Sequence, residues 1–87
     1  MAPVELTRLL RVRHLTGSGR ARAIRLGCGL SQAEVAGAVG VSPACVWMWE
    51  ARRRVPHGPA AERYERVLAL LEGVPATATT ATPAAGG

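Results

Sequence analysis

Between Val4 and Leu71 the apolar residues recur at intervals of three and four, and glycine, serine and proline interrupt them at short spacings. This pattern predicts an all-α chain of five helices. The first, Val4 to Leu15, is opened by Pro3 and places Leu6, Leu9, Leu10 and Arg13 at helical spacing. Thr16-Gly17-Ser18-Gly19 interrupts it, and Ser18 is placed to cap a second helix from about Arg20 to Gly27, with Ala23, Ile24 and Cys28 inward. Ser31 with Glu34 three residues later has the form of a capping box, ahead of a buried stripe of Val35, Ala36 and Val39 that ends at Gly40. Ser42 caps a fourth helix with Pro43 in its first turn, and this helix is expected to run to about Ala51. Beyond Pro56-His57-Gly58-Pro59, the stretch Ala60 to Glu72 gathers Tyr64, Val67, Leu68 and Leu71 on one side.

The fourth helix separates into two faces. Counting roughly 100° per residue from Pro43, Trp47 falls near 40°, Ala44 near 100° and Met48 near 140°, while Cys45, Val46 and Trp49 gather between about 200° and 300°. Val46 and Trp49 are therefore expected to anchor the helix to the body of the domain, and the small Ala36 lets the two central helices approach closely. Pro43, Ala44, Trp47 and Met48 form the outward face.

Three regions follow: an N-terminal helix over 1–17 packed on the domain, a helical domain over 18–72, and a tail over 73–87. The tail collapses into alanine, threonine, proline and glycine and cannot bury enough surface to offset its ordering entropy, so disorder is expected there. One small domain makes a deep catalytic cleft improbable. Neither a carboxylate cluster nor a nucleophile with a positioned base is visible, and the chain is read as not an enzyme. His14 and His57 stand alone, and Cys28 and Cys45 have no zinc-site spacing, so two reduced, largely buried thiols are expected, with no metal and no cofactor. No apolar run is long enough for a bilayer and no signal-peptide pattern opens the chain, which predicts a cytoplasmic protein without a membrane partner.

Charge then points to a partner class. Eleven arginines and no lysine face six glutamates and no aspartate, a formal net charge of +5 that favours a polyanion, with nucleic acid first. The exclusive use of arginine also suggests a GC-rich coding sequence, as in a high-GC bacterium or its phage. Arg52-Arg53-Arg54, at the end of the fourth helix, read as phosphate contacts in preference to a merely solvated surface, with a base contact in a groove as the alternative for one of the three, and Arg20 and Arg22 are weaker phosphate candidates. Arg63 and Arg66 read as surface charges paired with Glu62 and Glu65.

Gly29-Leu30-Ser31-Gln32-Ala33-Glu34-Val35-Ala36, the turn Gly40-Val41-Ser42, and Val46 with Trp49-Glu50 together resemble the helix-turn-helix domain of the Cro and phage-repressor family, the xenobiotic-response-element type. The resemblance spans Arg20 to Leu71 and implies a lambda-repressor-like five-helix bundle, here with an extra N-terminal helix. It implies that Gln32 and the adjacent donors at Ser31 contact a DNA phosphate, and that Pro43, Ala44, Trp47 and Met48 face the bases. Ser42 is a candidate for either contact. The resemblance further implies that Arg25 pairs with Glu50 to orient two helices. Unlike the family pattern, the fourth helix carries no Gln, Asn, Arg or Lys for bidentate base contacts, so direct readout should be sparse and DNA shape should contribute.

The expected function is sequence-specific binding of double-stranded DNA by a small Cro-like phage or prophage repressor, acting as a homodimer on paired half-sites, with no small-molecule ligand. Two other readings stay open: an antitoxin or excision-type accessory factor on the same fold, and a protein-interaction module that uses Trp47 and Met48.

Overall fold

A computed structural model describes residues 1–74. The expected tail over 73–87 therefore lies, from residue 75 onward, outside the described residues. Five helices and no strand make up the described chain: α1 Pro3–Gly17, α2 Arg20–Gly27, α3 Gln32–Val39, α4 Pro43–Glu50 and α5 Gly58–Glu72.

Local chemistry sets the boundaries. Pro3 and Pro43 each stand in the first turn of a helix, where no intrahelical donor is lost. Both halves of the Ser31–Glu34 capping box are formed: the Ser31 hydroxyl accepts from the Glu34 N–H at 3.0 Å, and the Glu34 carboxylate accepts from the Ser31 N–H at 2.9 Å. The Ser42 hydroxyl accepts from the Cys45 N–H in the same way. Between α3 and α4 the chain must reverse within three residues, and Gly40 makes this possible by adopting φ 86°, a left-handed conformation that side-chain-bearing residues rarely adopt.

One cluster forms the core: Val12 and Leu15 of α1, Ala21 and Ile24 of α2, Val35, Ala36 and Val39 of α3, Val46 and Trp49 of α4, and Ala61, Tyr64 and Leu68 of α5. Trp49 stacks on Tyr64 with ring centroids 4.6 Å apart, so α4 is pressed against α5 by two aromatic faces. Ala36 is 1% exposed where α3 meets α4, and its small side chain allows the two helices to pack closely.

The periodicity misplaces several residues. In α1 the inward face is Val12, Leu15 and Thr16 with Leu9 at its edge, and Leu6 and Leu10 are exposed. Four leucines spread around the helix leave the inward face undecided by spacing, and packing against α5, α2 and α4 chooses it. In α2 the small inward residue is Ala21 and not Ala23, because Ala21 shares one helical face with the buried Ile24 and Arg25, and the N-cap is Gly19, with Ser18 one position before it. Ser18 Oγ still accepts from the Arg20 N–H at 3.3 Å. Arg63 is not a surface partner of Glu62: its Nε donates to the Val39 carbonyl at 2.7 Å, satisfying the C-terminus of α3 from α5. Glu65 is bonded to Arg11, whose guanidinium also reaches Glu72, so both carboxylates hold α1 to α5. Cys28 and Cys45 are free and half-buried, and the Cys28 thiol donates to the Leu71 carbonyl.

No described helix is long and apolar enough to cross a membrane. No group of three or more His, Cys, Asp or Glu side chains gathers among the described residues.

The Tyr64 hydroxyl is buried without a protein hydrogen-bond partner among the described residues, and burial, reinforced by the charge of Glu50, holds its pKa well above the ordinary 10. A buried, unpartnered hydroxyl costs free energy. Tyr64→Phe is therefore expected to leave stability unchanged or raise it by up to about 1 kcal/mol in urea unfolding. A loss of more than about 1 kcal/mol would mean that the hydroxyl is satisfied in solution.

Candidate functional site

The centre of the site is a buried charge pair. Arg25, on the inner side of α2, donates through Nε to Glu50 Oε2 at 2.6 Å and through Nη2 to Oε1 at 2.8 Å, a bidentate fork that joins α2 to the last residue of α4. Its third nitrogen, Nη1, donates to the Leu30 carbonyl at 2.8 Å, just before α3. The side chains are 9% and 3% exposed, so water cannot replace either partner. The Gln32 amide donates to Glu50 Oε1 at 3.1 Å and brings the first turn of α3 into the same network. Burial alone would push the Glu50 carboxyl upward, but the hydrogen bonds from Arg25 and Gln32, with the charges of Arg25 and Arg22, outweigh it and hold the group below its ordinary value. Arg25 is correspondingly raised, chiefly by its hydrogen bonds to Glu50.

Around this centre α4 presents a ridge. Ser42, Pro43 and Ala44 are exposed, and Trp47 is 47% exposed, large for an indole inside a well-formed helix. Met48, placed on the outward face by the helical wheel, is half-buried and belongs to the edge of the ridge. Trp47 also forms one wall of a shallow cavity of about 120 Å³ whose other walls are Arg22, Gln32, Glu50 and Ala51. Arg20 and Arg22 are exposed on the first turn of α2.

The arginine triplet is not a uniform wall. Arg52 adopts φ 61°, the one left-handed residue other than glycine among those described. Its N–H bonds to the Trp49 carbonyl and the Arg53 N–H to the Met48 carbonyl at 2.9 Å, the paired bonds of a left-handed helix cap. The same two bonds close α2 around Gly29, at φ 71°, so the chain makes one turn twice, once with glycine and once with arginine. The arginine version costs about 1 kcal/mol of backbone strain. Arg52 Nη1 donates to the Gly17 carbonyl at the end of α1, which removes this guanidinium from the outer face. Arg53 is carried back over the helix, with its guanidinium carbon 5.7 Å from the Trp47 ring centroid. Arg54 is exposed.

Two assignments change in chemistry. The Gln32 side chain, expected at a phosphate, is bonded inward to Glu50, and the Ser31 N–H is taken by Glu34. The donors left at the start of α3 are the backbone N–H groups of Gln32 and Ala33, which have no acceptor within their own helix. The position of Arg53 over Trp47 was missed by sequence reasoning, because α4 ends at Glu50 and Ala51-Arg52-Arg53 carries no glycine to mark the left-handed turn.

Because Glu50 titrates below its ordinary 4.5 in the folded chain, its contribution is complete above pH 4.5 and is lost as pH falls through the lower folded value. Glu50→Gln is expected to destabilise the protein by about 3 kcal/mol at pH 7, since it leaves Arg25 buried without a counter-charge. It should also flatten the acid limb of a stability-against-pH curve measured by urea unfolding, and an unchanged acid limb would count against the pair as the acid-sensitive element. Comparison of the chain with protein-family models, with curated proteins and with solved structures finds no match in any of the three.

Proposed function

We propose that this chain binds double-stranded DNA by laying α4 in the major groove, as a small transcriptional regulator of the Cro and phage-repressor kind with a lambda-repressor-like arrangement of its helices. One observation carries the reading: α4 offers an exposed, uncharged ridge of Ser42, Pro43, Ala44 and Trp47, and the exposed arginines Arg20, Arg22, Arg53 and Arg54 lie before and after it. The nearest carboxylate, Glu50, is neutralised inside by Arg25. A helix of this width fits the major groove, and cations at its edges meet the two phosphate walls.

The first turn of α3 supplies the Gln32 and Ala33 amides to a backbone phosphate, helped by the positive end of the helix dipole. Arg22 stands beside them at the cavity next to Trp47 and completes a phosphate contact on that side. On this reading the protein works in the bacterial cytoplasm, and a domain with so small a footprint gains affinity by acting as a homodimer on half-sites about 34 Å apart.

The exposure of Trp47 favours one other reading, an apolar hot spot for a protein partner. Salt separates the two. On the DNA reading, affinity for a duplex falls steeply between about 50 and 200 mM salt, and Arg22→Ala or Arg54→Ala each lower the slope of log K against log salt by about 1. Binding that ignores salt, or no retention of duplex at the lowest salt, would overturn the DNA reading.

A further inference from the structure

The outward ridge of α4 poses a problem for a groove reader. Apart from the Ser42 hydroxyl at its start and the single indole N–H of Trp47, the ridge of Pro43, Ala44, Trp47 and Met48 offers no strong side-chain hydrogen-bonding group to a base edge, and none of its residues can make a bidentate contact. Shape, apolar contact and single hydrogen bonds discriminate less sharply than a bidentate pair. One group is nevertheless brought onto the ridge from outside the helix: the guanidinium of Arg53 over the indole of Trp47.

This placement follows from the backbone. The left-handed turn at Arg52 folds the chain back so that the Arg53 N–H bonds to the Met48 carbonyl, and Arg53 thereby returns to the level of Trp47. The bond from Arg52 to Gly17 fixes the turn from the other side. Attraction between the cation and the ring face then limits the rotamers of a side chain that is otherwise among the most flexible. The guanidinium stays within cation–π range of the ring at 5.7 Å and makes no side-chain hydrogen bond among the described residues, so its N–H fork remains available to donate two parallel hydrogen bonds to a planar acceptor pair. In the major groove that acceptor pair is O6 and N7 of guanine.

We propose that Arg53, positioned by the Trp47 indole and the strained turn at Arg52, is the specificity-determining residue of this chain and reads a guanine in the major groove, whereas Arg54 and Arg22 contact phosphates without regard to sequence. The proposal rests on the DNA-binding reading above and deepens it. It reverses the roles that a helix-by-helix reading assigns: the outward residues of α4 give shape and support, and the base contact comes from the residue two places past the helix cap.

The test is selection of duplexes from a random pool by the full chain, followed by affinity measurement on selected and random duplexes. The wild type is expected to enrich a fixed G·C pair. Arg53→Ala is expected to erase that position from the consensus and to weaken the selected duplex by about 10- to 100-fold more than the random one. Arg54→Ala, which removes the same charge one residue away, should weaken both duplexes alike and leave the consensus intact. Trp47→Leu, which keeps an apolar ridge but removes the ring face, should blur the same G·C position, with no further loss there when combined with Arg53→Ala. Equal losses on both duplexes for Arg53→Ala, or wild-type binding with no base preference, would overturn the assignment and leave DNA binding standing. Failure of the wild type to retain any duplex at low salt would overturn both.

Discussion

The Arg25–Glu50 pair is the constraint on which the rest of the architecture depends. Each of its polar atoms is committed: two guanidinium nitrogens to the carboxylate, the third to the Leu30 carbonyl, and one carboxylate oxygen shared with Gln32. Taking two charges out of water is expensive, and the cost is recovered only when geometry and hydrogen bonding are complete. The pair therefore acts less as a source of stability than as a selector of arrangement. Any shift of α4 relative to α2 and the start of α3 would strand a buried charge. Trp49, one residue before Glu50, is held at the same time by stacking on Tyr64. The end of α4 is thus fixed by an ion pair towards α2 and by an aromatic contact towards α5, and its other side remains exposed.

The frame carrying the site was readable because its signals are local. A serine with a glutamate three residues later, a glycine before a three-residue turn and a proline after a serine cap each satisfy particular backbone groups, and satisfy them here as expected. Val46 and Trp49 were placed inward by helical spacing alone, and both are buried. The Arg25–Glu50 contact was expected from the resemblance of the motif, since a separation of twenty-five residues carries no periodic signal.

What escaped the sequence depends on tertiary contact. The face that α1 buries is decided by its packing on α5, α2 and α4, the partner of Arg63 is a carbonyl on α3, and Arg11 finds its two carboxylates on α5. None of these is encoded at helical spacing. The arginine triplet shows the same limit at closer range: three identical neighbours go to three environments, one bonded to Gly17, one over Trp47 and one exposed. A run of like charges reads as one surface until the backbone conformation of its first member is known. At Arg52 that conformation is one for which glycine is the cheaper choice, as Gly29 shows in the equivalent turn of α2. A left-handed arginine where glycine would carry no strain is an outlier of the kind that clusters at functional sites.

The central claim is that the exposed ridge of α4, framed by arginines and held by the buried pair, is the surface that meets DNA. The most direct measurement is the change in backbone amide resonances of the isotope-labelled chain as a short duplex is added at low salt. The account predicts that the largest shifts fall on Gln32 and Ala33, on Ser42 and Ala44 to Trp47, and on Arg52 to Arg54, with the outer ridge of α1 at Leu6 and Leu10 unmoved. Shifts centred on α1 or α5, with the amides of α4 unchanged, would contradict it.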